Sequence, residues 1–242
     1  MPLPEKARLT FLPLGDRALL LDVGAEAGAQ TVSRVRALAD YLAQLQLPGI
    51  FDLVPAICTI GIHYDPVYWG GAAEKHTAYE RLVQRLGELL DDFDMLPAGA
   101  GQTQDIPVCY EPEYALDLAS LARARGVSEQ QVIDIHAGAQ YSVYMIGFAP
   151  GFAYLGPLDE RLVLPRRETP RTLVPAGSVA VANEYTGIYP GPLPGGWHII
   201  GRTPLRLFDP ARPQPSLLQS GDLVRFVPID AQQYRSLEAG RE

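Results

Sequence analysis

The residues best suited to chemistry lie between His136 and Thr203. This stretch packs Tyr141, Tyr144, Phe148, Phe152, Tyr154, Tyr185, Tyr189 and Trp197 among glycines and prolines, with Arg161, Arg166, Arg167, Arg171 and Arg202 interspersed. Gly147 to Gly156 reads Gly-Phe-Ala-Pro-Gly-Phe-Ala-Tyr-Leu-Gly, a non-periodic loop that carries two rigid aromatics on backbone free to approach a ligand. Leu164 to Arg171 is a proline-bounded segment whose guanidinium forks suit a carboxylate or a phosphate. Together these features predict a ligand wall with fixed cations beside it. The competing reading is a turn-rich β-domain whose arginines pair with Asp159, Glu160 and Glu168.

Familiar catalytic motifs do not occur in the sequence. Neither lysine, Lys6 or Lys75, sits in a Gly-x-x-x-x-Gly-Lys-Ser/Thr loop, and no Gly-x-Gly-x-x-Gly opens a helix after a strand, so no familiar ATP site is displayed. His63, His76, His136 and His198 lie far apart without metal-ligand spacing, and His76 with Glu80 reads as an exposed helix pair; no metal is expected. Ser178, in Pro-Ala-Gly-Ser, is not the Gly-x-Ser-x-Gly elbow of hydrolases.

The elements that must hold these residues fall into two sets. Leu9 to Leu12 and Arg17 to Val23 read as a strand pair, followed by a helix over Thr31 to Leu45, whose apolar residues recur at three- and four-residue steps. Two short apolar runs, Ile50 to Val54 and Ile57 to His63, precede a second amphipathic helix from Tyr79 to Leu90, giving the order β-β-α-β-β-α. Residues 97–104 read as a linker between an N-terminal domain, 1–96, and a second domain, 105–230. The second domain opens with a strand at Ile106 to Tyr110, a helix at Leu116 to Ala124 and a capping box at Ser128 and Gln131. From Tyr141 onward closely spaced glycines and prolines predict many short strands of a barrel or sandwich, and 231–242 reads as a polar tail.

Composition bounds the functions available. The 242 residues carry a formal net charge of -8, so no chain-wide basic field exists to hold nucleic acid or an anionic membrane. Met1 to Leu14 lacks a signal-peptide core, and the longest apolar stretch, Leu53 to Ile62, is about half of the ~20 residues a membrane-spanning helix needs, so a cytoplasmic protein is expected. Cys58 and Cys109 are too few for a disulfide framework and sit in apolar, strand-like surroundings, which predicts buried thiols.

The blocks His136 to Tyr141, Met145 to Gly156, Leu164 to Arg167, Val174 to Val179, Thr186 to Pro190, Pro194 to Trp197 and Ile200 to Pro204 stand in the order found in the allophanate hydrolase subunit 1 family. Leu14 to Leu20, Val54 to Ala56 and Gly221-Asp222 extend the resemblance over most of the chain. That family includes the B subunit of the bacterial ATP-dependent 5-oxoprolinase and the Kip-type inhibitor of a sporulation histidine kinase. The resemblance implies an α+β protein, a small α/β domain followed by a cyclophilin-like β-barrel. It also implies partners: an allophanate hydrolase subunit 2-like protein, which is the C subunit in a 5-oxoprolinase, and the A subunit of the same complex. ATP is then used by the complex, with a small lactam or amide as substrate. Two alternatives stay open: a carboxyltransferase half acting on urea or a related amide, with biotin carried elsewhere, and a kinase inhibitor. Where the family pattern reads Gly-Gly-Glu-Phe-Gly-Pro-Asp-Leu, Glu111 to Leu118 has lost the glycines, which puts a glycine-dependent turn there in question.

Opening 5-oxo-L-proline by way of a phosphorylated imidate calls for cations and oriented N–H donors. Arg166, Arg167 and Arg202 are therefore the candidate anion clamps and His136 the candidate acid/base, His136 alternatively being a helix-end residue packed against Tyr141. Phe148, Phe152, Tyr154, Tyr189 and Trp197 are the candidate wall, Gly195 and Gly196 allow close approach, and Thr203 joins the substrate-binding set.

Overall fold

A computed structural model describes residues 9–24, 28–71, 76–91 and 101–240, and its contacts divide the chain into two units, Met1–Gly99 and Ala100–Glu242. Of the expected linker, residues 97–100 lie outside the described residues, whereas Thr103 and Gln104 are already strand, paired with Leu223 and Val224.

In the first unit β1 (Thr10–Pro13), β2 (Ala18–Asp22), β3 (Ile50–Pro55) and β4 (Thr59–Tyr64) form one antiparallel sheet of order β1-β2-β4-β3. Alternation along β2 and β4 turns Leu19, Leu21, Ile60, Ile62 and Tyr64 to one face, where they share a core with Val35, Leu38 and Leu42 of α1 (Ala29–Leu45). A further helix, α2 (Pro66–Trp69), follows β4. Its four residues are too short to show a period, and Asp65 caps it by accepting from the Val67 N–H at 2.9 Å. The helix α3 (Ala78–Leu90) starts at a reciprocal Thr77–Glu80 capping box and buries Leu82, Leu86 and Leu90. The expected β-β-α-β-β-α order is thus present with one added turn of helix.

In the second unit β5 (Thr103–Cys109) leads into α4 (Leu118–Arg125) and α5 (Glu129–Gly138), the latter opened by the expected Ser128–Gln131 capping box. The glycine-free stretch before α4 turns without any positive φ, the Tyr114 N–H donating to the Glu111 carbonyl at 2.8 Å. There follow β6 (Gln140–Ile146), β7 (Ala153–Gly156), β8 (Arg171–Val174), β9 (Ser178–Ala182), β10 (Tyr185–Ile188), β11 (Leu193–Gly195), β12 (His198–Arg202) and β13 (Leu223–Ile229). Seven strands, β5 among them, close into a barrel of order β10-β7-β6-β13-β5-β12-β9, and β11 and β8 pair as a separate ribbon. Inward residues Ile106, Tyr141, Val143, Leu155, Val179, Val181, Ile188, Val224 and Phe226 fill the interior.

The expected polar tail is a helix, α6 (Ala231–Ala239), with residues 241–242 outside the described set. Asp230 and Gln233 cap it reciprocally, and Tyr234, 3% exposed, packs on Tyr114 with ring centroids 4.3 Å apart. One buried aromatic anchors a segment whose composition is otherwise polar. Cys109 is buried and Cys58 half-buried. Among the described residues no helix is long and apolar enough to cross a membrane.

Candidate functional site

The aromatic residues converge as the sequence predicts, but most of them face each other. Phe152, Tyr189 and Trp197 are 1%, 2% and 5% exposed and form one cluster with Val174, Ala180, Ala182 and Ile199. The Phe152 ring meets Tyr189 at 5.1 Å and Trp197 at 5.6 Å, both near perpendicular, the edge-to-face arrangement that aromatic quadrupoles favour. Tyr154, half-buried, lies 4.9 Å from Phe152, and Phe148, 61% exposed, meets the same ring at 5.3 Å. Phe152, Tyr189 and Trp197 therefore back the wall, and Phe148 and Tyr154 are its accessible face.

Phe148 sits at φ 70, a left-handed conformation that costs a bulky residue of the order of 1–3 kcal/mol and that collects at functional sites. Two hydrogen bonds within the loop, Gly147 N–H to the Phe152 carbonyl at 3.0 Å and Phe152 N–H to the Ala149 carbonyl at 2.9 Å, hold it there.

Gly195 serves the interior of this block. A Cβ on it would run into the Tyr189 hydroxyl, so its smallness accommodates a buried ring. A Cβ on Gly196 would meet nothing closer than Pro170 at 3.6 Å.

The arginines divide sharply. Arg167 donates to Asp117 at 2.9 Å and Arg171 forms a two-pronged pair with the same carboxylate, both contacts at 2.8 Å. Asp117 is 3% exposed and also accepts from the Ile199 N–H at 2.8 Å. Burial alone would raise its pKa, but the Arg171 hydrogen bond, the Ile199 N–H and the charges of Arg171 and Arg167 outweigh it and hold the carboxyl below its ordinary value. Arg167, expected as a clamp, is thus occupied within the protein. Arg166 is exposed, and among the described residues no carboxylate pairs with it. Its charge acts on Tyr154 and Tyr189, whose pKa values burial raises and Arg166 pulls back.

Three further hydrogen bonds pin this segment: Asn183 N–H to the Leu164 carbonyl at 2.6 Å, His198 Nε2 to the Pro165 carbonyl at 2.9 Å and Arg167 N–H to the Gly196 carbonyl at 2.8 Å.

Three predicted residues lie elsewhere. His136 is wholly buried in the barrel core, stacked on Phe226 at 4.4 Å. Its Nδ1 lies 2.8 Å from the Tyr110 hydroxyl and its Nε2 2.9 Å from Thr186 Oγ1. The Thr186 hydroxyl donates to the Ala180 carbonyl at 3.2 Å, so its oxygen accepts from Nε2–H and Nδ1 accepts from Tyr110. Desolvation pushes the imidazole pKa down to about 3. A neutral ring with both nitrogens satisfied and no exposed atom is a core histidine. It contacts Tyr141, as the alternative reading expects, but carries no charge to answer the helix dipole. Thr203, 1% exposed, accepts from the Leu205 N–H at 3.2 Å and is likewise internal.

Arg202 lies over the Tyr114 ring at 5.6 Å, and its charge is felt by Tyr234. Its ring partner is therefore Tyr114 and not one of the wall aromatics, while the carbonyl of its strand neighbour Ser178 accepts from the Tyr189 N–H at 2.9 Å. A separate cleft of about 470 Å³, lined by Arg125, Pro157, Leu158, Glu160, Val163 and Glu184, contains none of the predicted residues, and its guanidinium is engaged by the Glu160 and Arg161 carbonyls.

Asp117 is the residue that sequence reasoning missed. An Asp ahead of a helix reads as an N-cap, and it does occupy the N-cap of α4, but it makes no side-chain cap hydrogen bond. The pairing that matters spans 50 and 54 positions of sequence and has no local signal.

Comparison with known proteins agrees with this architecture. The family model described as carboxyltransferase domain, subdomain C and D, matches residues 9–218. The 5-oxoprolinase B subunit of Bacillus subtilis (strain 168) is 38% identical over 229 residues, covering 92% of this chain and 94% of its own. The protein of the same name from Escherichia coli O157:H7 is 39% identical over 215 residues, covering 89% and 94%. The solved protein TTHA0988 superposes with a TM-score of 0.75 at 36% identity over 89% of this chain, which spans 40% of that longer one.

Proposed function

Because this chain belongs to the carboxyltransferase subdomain C and D family, we propose that it is the B subunit of an ATP-dependent 5-oxoprolinase and acts within a complex. The observation that carries this reading is the end-to-end likeness, 38% identity over more than nine-tenths of both chains, to a bacterial protein named for that component. TTHA0988, a single chain of which this one spans 40%, supports an arrangement in which a further module accompanies this fold. That module corresponds to the C subunit, with the A subunit completing the complex.

The site chemistry is consistent with the substrate. 5-Oxo-L-proline offers a compact apolar ring and one carboxylate, and the accessible face offers Phe148 and Tyr154, the latter within reach of the charge of Arg166, which no described carboxylate pairs. The rings cover the lactam while the guanidinium fork receives the anionic group, the geometry for which arginine is suited.

The sequence displays no familiar phosphate loop for a nucleoside triphosphate. Asp117 engages Arg167 and Arg171, and Arg166, which no described carboxylate pairs, is the cation open to the ligand's carboxylate. No phosphoryl-transfer step is therefore assigned to this chain; ATP is used by the complex. The role left to it is to bind and orient the lactam for activation at its carbonyl oxygen.

Co-purification with the proteins of neighbouring genes, followed by an assay for 5-oxoproline-dependent ATP hydrolysis, tests the reading. Equal ATP hydrolysis with and without 5-oxoproline in the assembled complex would falsify it.

A further inference from the structure

Asp117 stands at the N-cap of α4, where an aspartate ordinarily stabilises its helix by accepting from the second or third N–H. Here the carboxylate forgoes that bond. It accepts three charge-assisted hydrogen bonds from two arginines and a fourth from the Ile199 N–H, while its own N–H donates to the Ile199 carbonyl at 2.7 Å. The start of α4 is thereby clipped to β12 at two points, and all of the carboxylate's capacity goes to the neighbouring segment. One carboxylate against two guanidiniums leaves a surplus positive charge in a site where Asp117 itself is nearly inaccessible. A local stabilising interaction is given up for a distant one.

Arg166 precedes Arg167 directly. With Arg167 turned to Asp117 and its backbone fixed on Gly196, Arg166 is left exposed beside Tyr154 and Tyr189.

We propose that Asp117 is the positioning residue of the site: by holding Arg167 and Arg171 it sorts three arginines into two internal braces and one outward cation, Arg166, that receives the anionic group of the ligand. The identity of that ligand rests on the functional reading above, but the sorting itself does not.

Two measurements on the same variants test this. The first is modification of the full chain by phenylglyoxal, which attacks accessible guanidiniums, mapped by mass spectrometry. In the natural protein Arg166 reacts and Arg167 and Arg171 are protected; in Asp117→Asn both become severalfold more reactive. An unchanged pattern overturns the proposal, whatever the substrate.

The second is steady-state kinetics of the assembled complex. Asp117→Asn raises the KM for 5-oxoproline by about tenfold or more with a smaller effect on kcat, because misplacing the cation weakens ligand binding first. Asp117→Glu recovers part of the loss. In an Arg166→Ala background Asp117→Asn adds no further rise in KM, since the residue it acts through is gone. Full additivity of the two substitutions, or a KM unchanged in protein that remains folded, shows a structural salt bridge only and overturns the proposal.

If Asp117→Asn does not fold, Arg171→Lys, which keeps the charge but not the two-pronged geometry, takes its place with the same expected direction. If the natural complex shows no response to 5-oxoproline, the functional reading fails while the modification pattern still decides the role of Asp117.

Discussion

Charge balance separates arginines that the sequence presents as equals. Arg161 pairs with Asp159, as the competing turn-rich reading expects, and Arg225 pairs with Asp105, both on the surface where such pairs contribute little. Arg166 pairs with no carboxylate among the described residues, so replacing it should take charge from the ligand and not from the fold. Arg166→Ala is expected to lower kcat/KM of the assembled complex by about tenfold or more, which corresponds to ~1.4 kcal/mol, with little change in melting temperature. Early unfolding with normal turnover per folded molecule would withdraw the anion-clamp role. His136 behaves in the opposite way. Its pKa falls from 6.5 to about 3 on burial, so the unfolded chain binds a proton that the folded chain excludes. The stability held by the neutral ring is complete above pH 6.5 and declines as pH falls from there towards 3, at a limit of roughly 1.4 kcal/mol per unit. His136→Phe removes this dependence but leaves the Tyr110 and Thr186 hydroxyls without their partner, at a cost of about 1–3 kcal/mol each where unsatisfied. Denaturant melts of both proteins between pH 4 and pH 7 measure the difference; parallel pH profiles would show that the imidazole charge is not excluded.

At the level of elements, turns and helix ends set the site. The β8–β11 ribbon brings Gly195 against Tyr189, and the hydroxyl there leaves no room for a side chain. Gly195→Ala is therefore expected to destabilise the protein by about 1–3 kcal/mol through overpacking, whereas Gly196→Ala, with Pro170 3.6 Å away, is tolerated. If both glycines served ligand approach, both variants would keep their melting temperature and lose substrate binding, and calorimetry with substrate titration distinguishes the two outcomes. α6 offers a second check. Tyr234 is its buried anchor on Tyr114, so removing residues after Asp230 should lower the denaturation midpoint measurably. A dispensable tail would leave that midpoint unchanged.

For the whole molecule, two units with separate cores mean that folding and activity need not coincide. Each core is filled by its own strands and helices, so the isolated chain should fold without partner proteins and give a native circular dichroism spectrum. It should show no 5-oxoproline-dependent ATP hydrolysis alone, because its sequence displays no familiar phosphate loop. Strong activity of the purified chain without its partner proteins would refute this division of labour.

Periodicity sufficed for the two amphipathic helices of the first unit and for the Ser128 cap, because those features follow from residues within one or two turns of each other. The many short strands after Tyr141 were legible from glycine and proline spacing, and so were the aromatic residues that meet around Phe152. Local patterns carry no record of what lies across a barrel. His136 becomes a core residue only because Thr186 on β10, Phe226 on β13 and Tyr110 after β5 surround it, and no neighbour in sequence foretells that. Arg166 and Arg167 are the same residue type at adjacent positions, and only the arrival of Asp117 from 50 residues away makes one a brace and the other a candidate ligand for an anion. Local pattern sets most of the helices and strands and which side chains are available, with α2 and α6 the exceptions. The closed barrel decided which of those side chains are buried, paired or left free, because burial and charge pairing depend on contacts between strands distant in the chain.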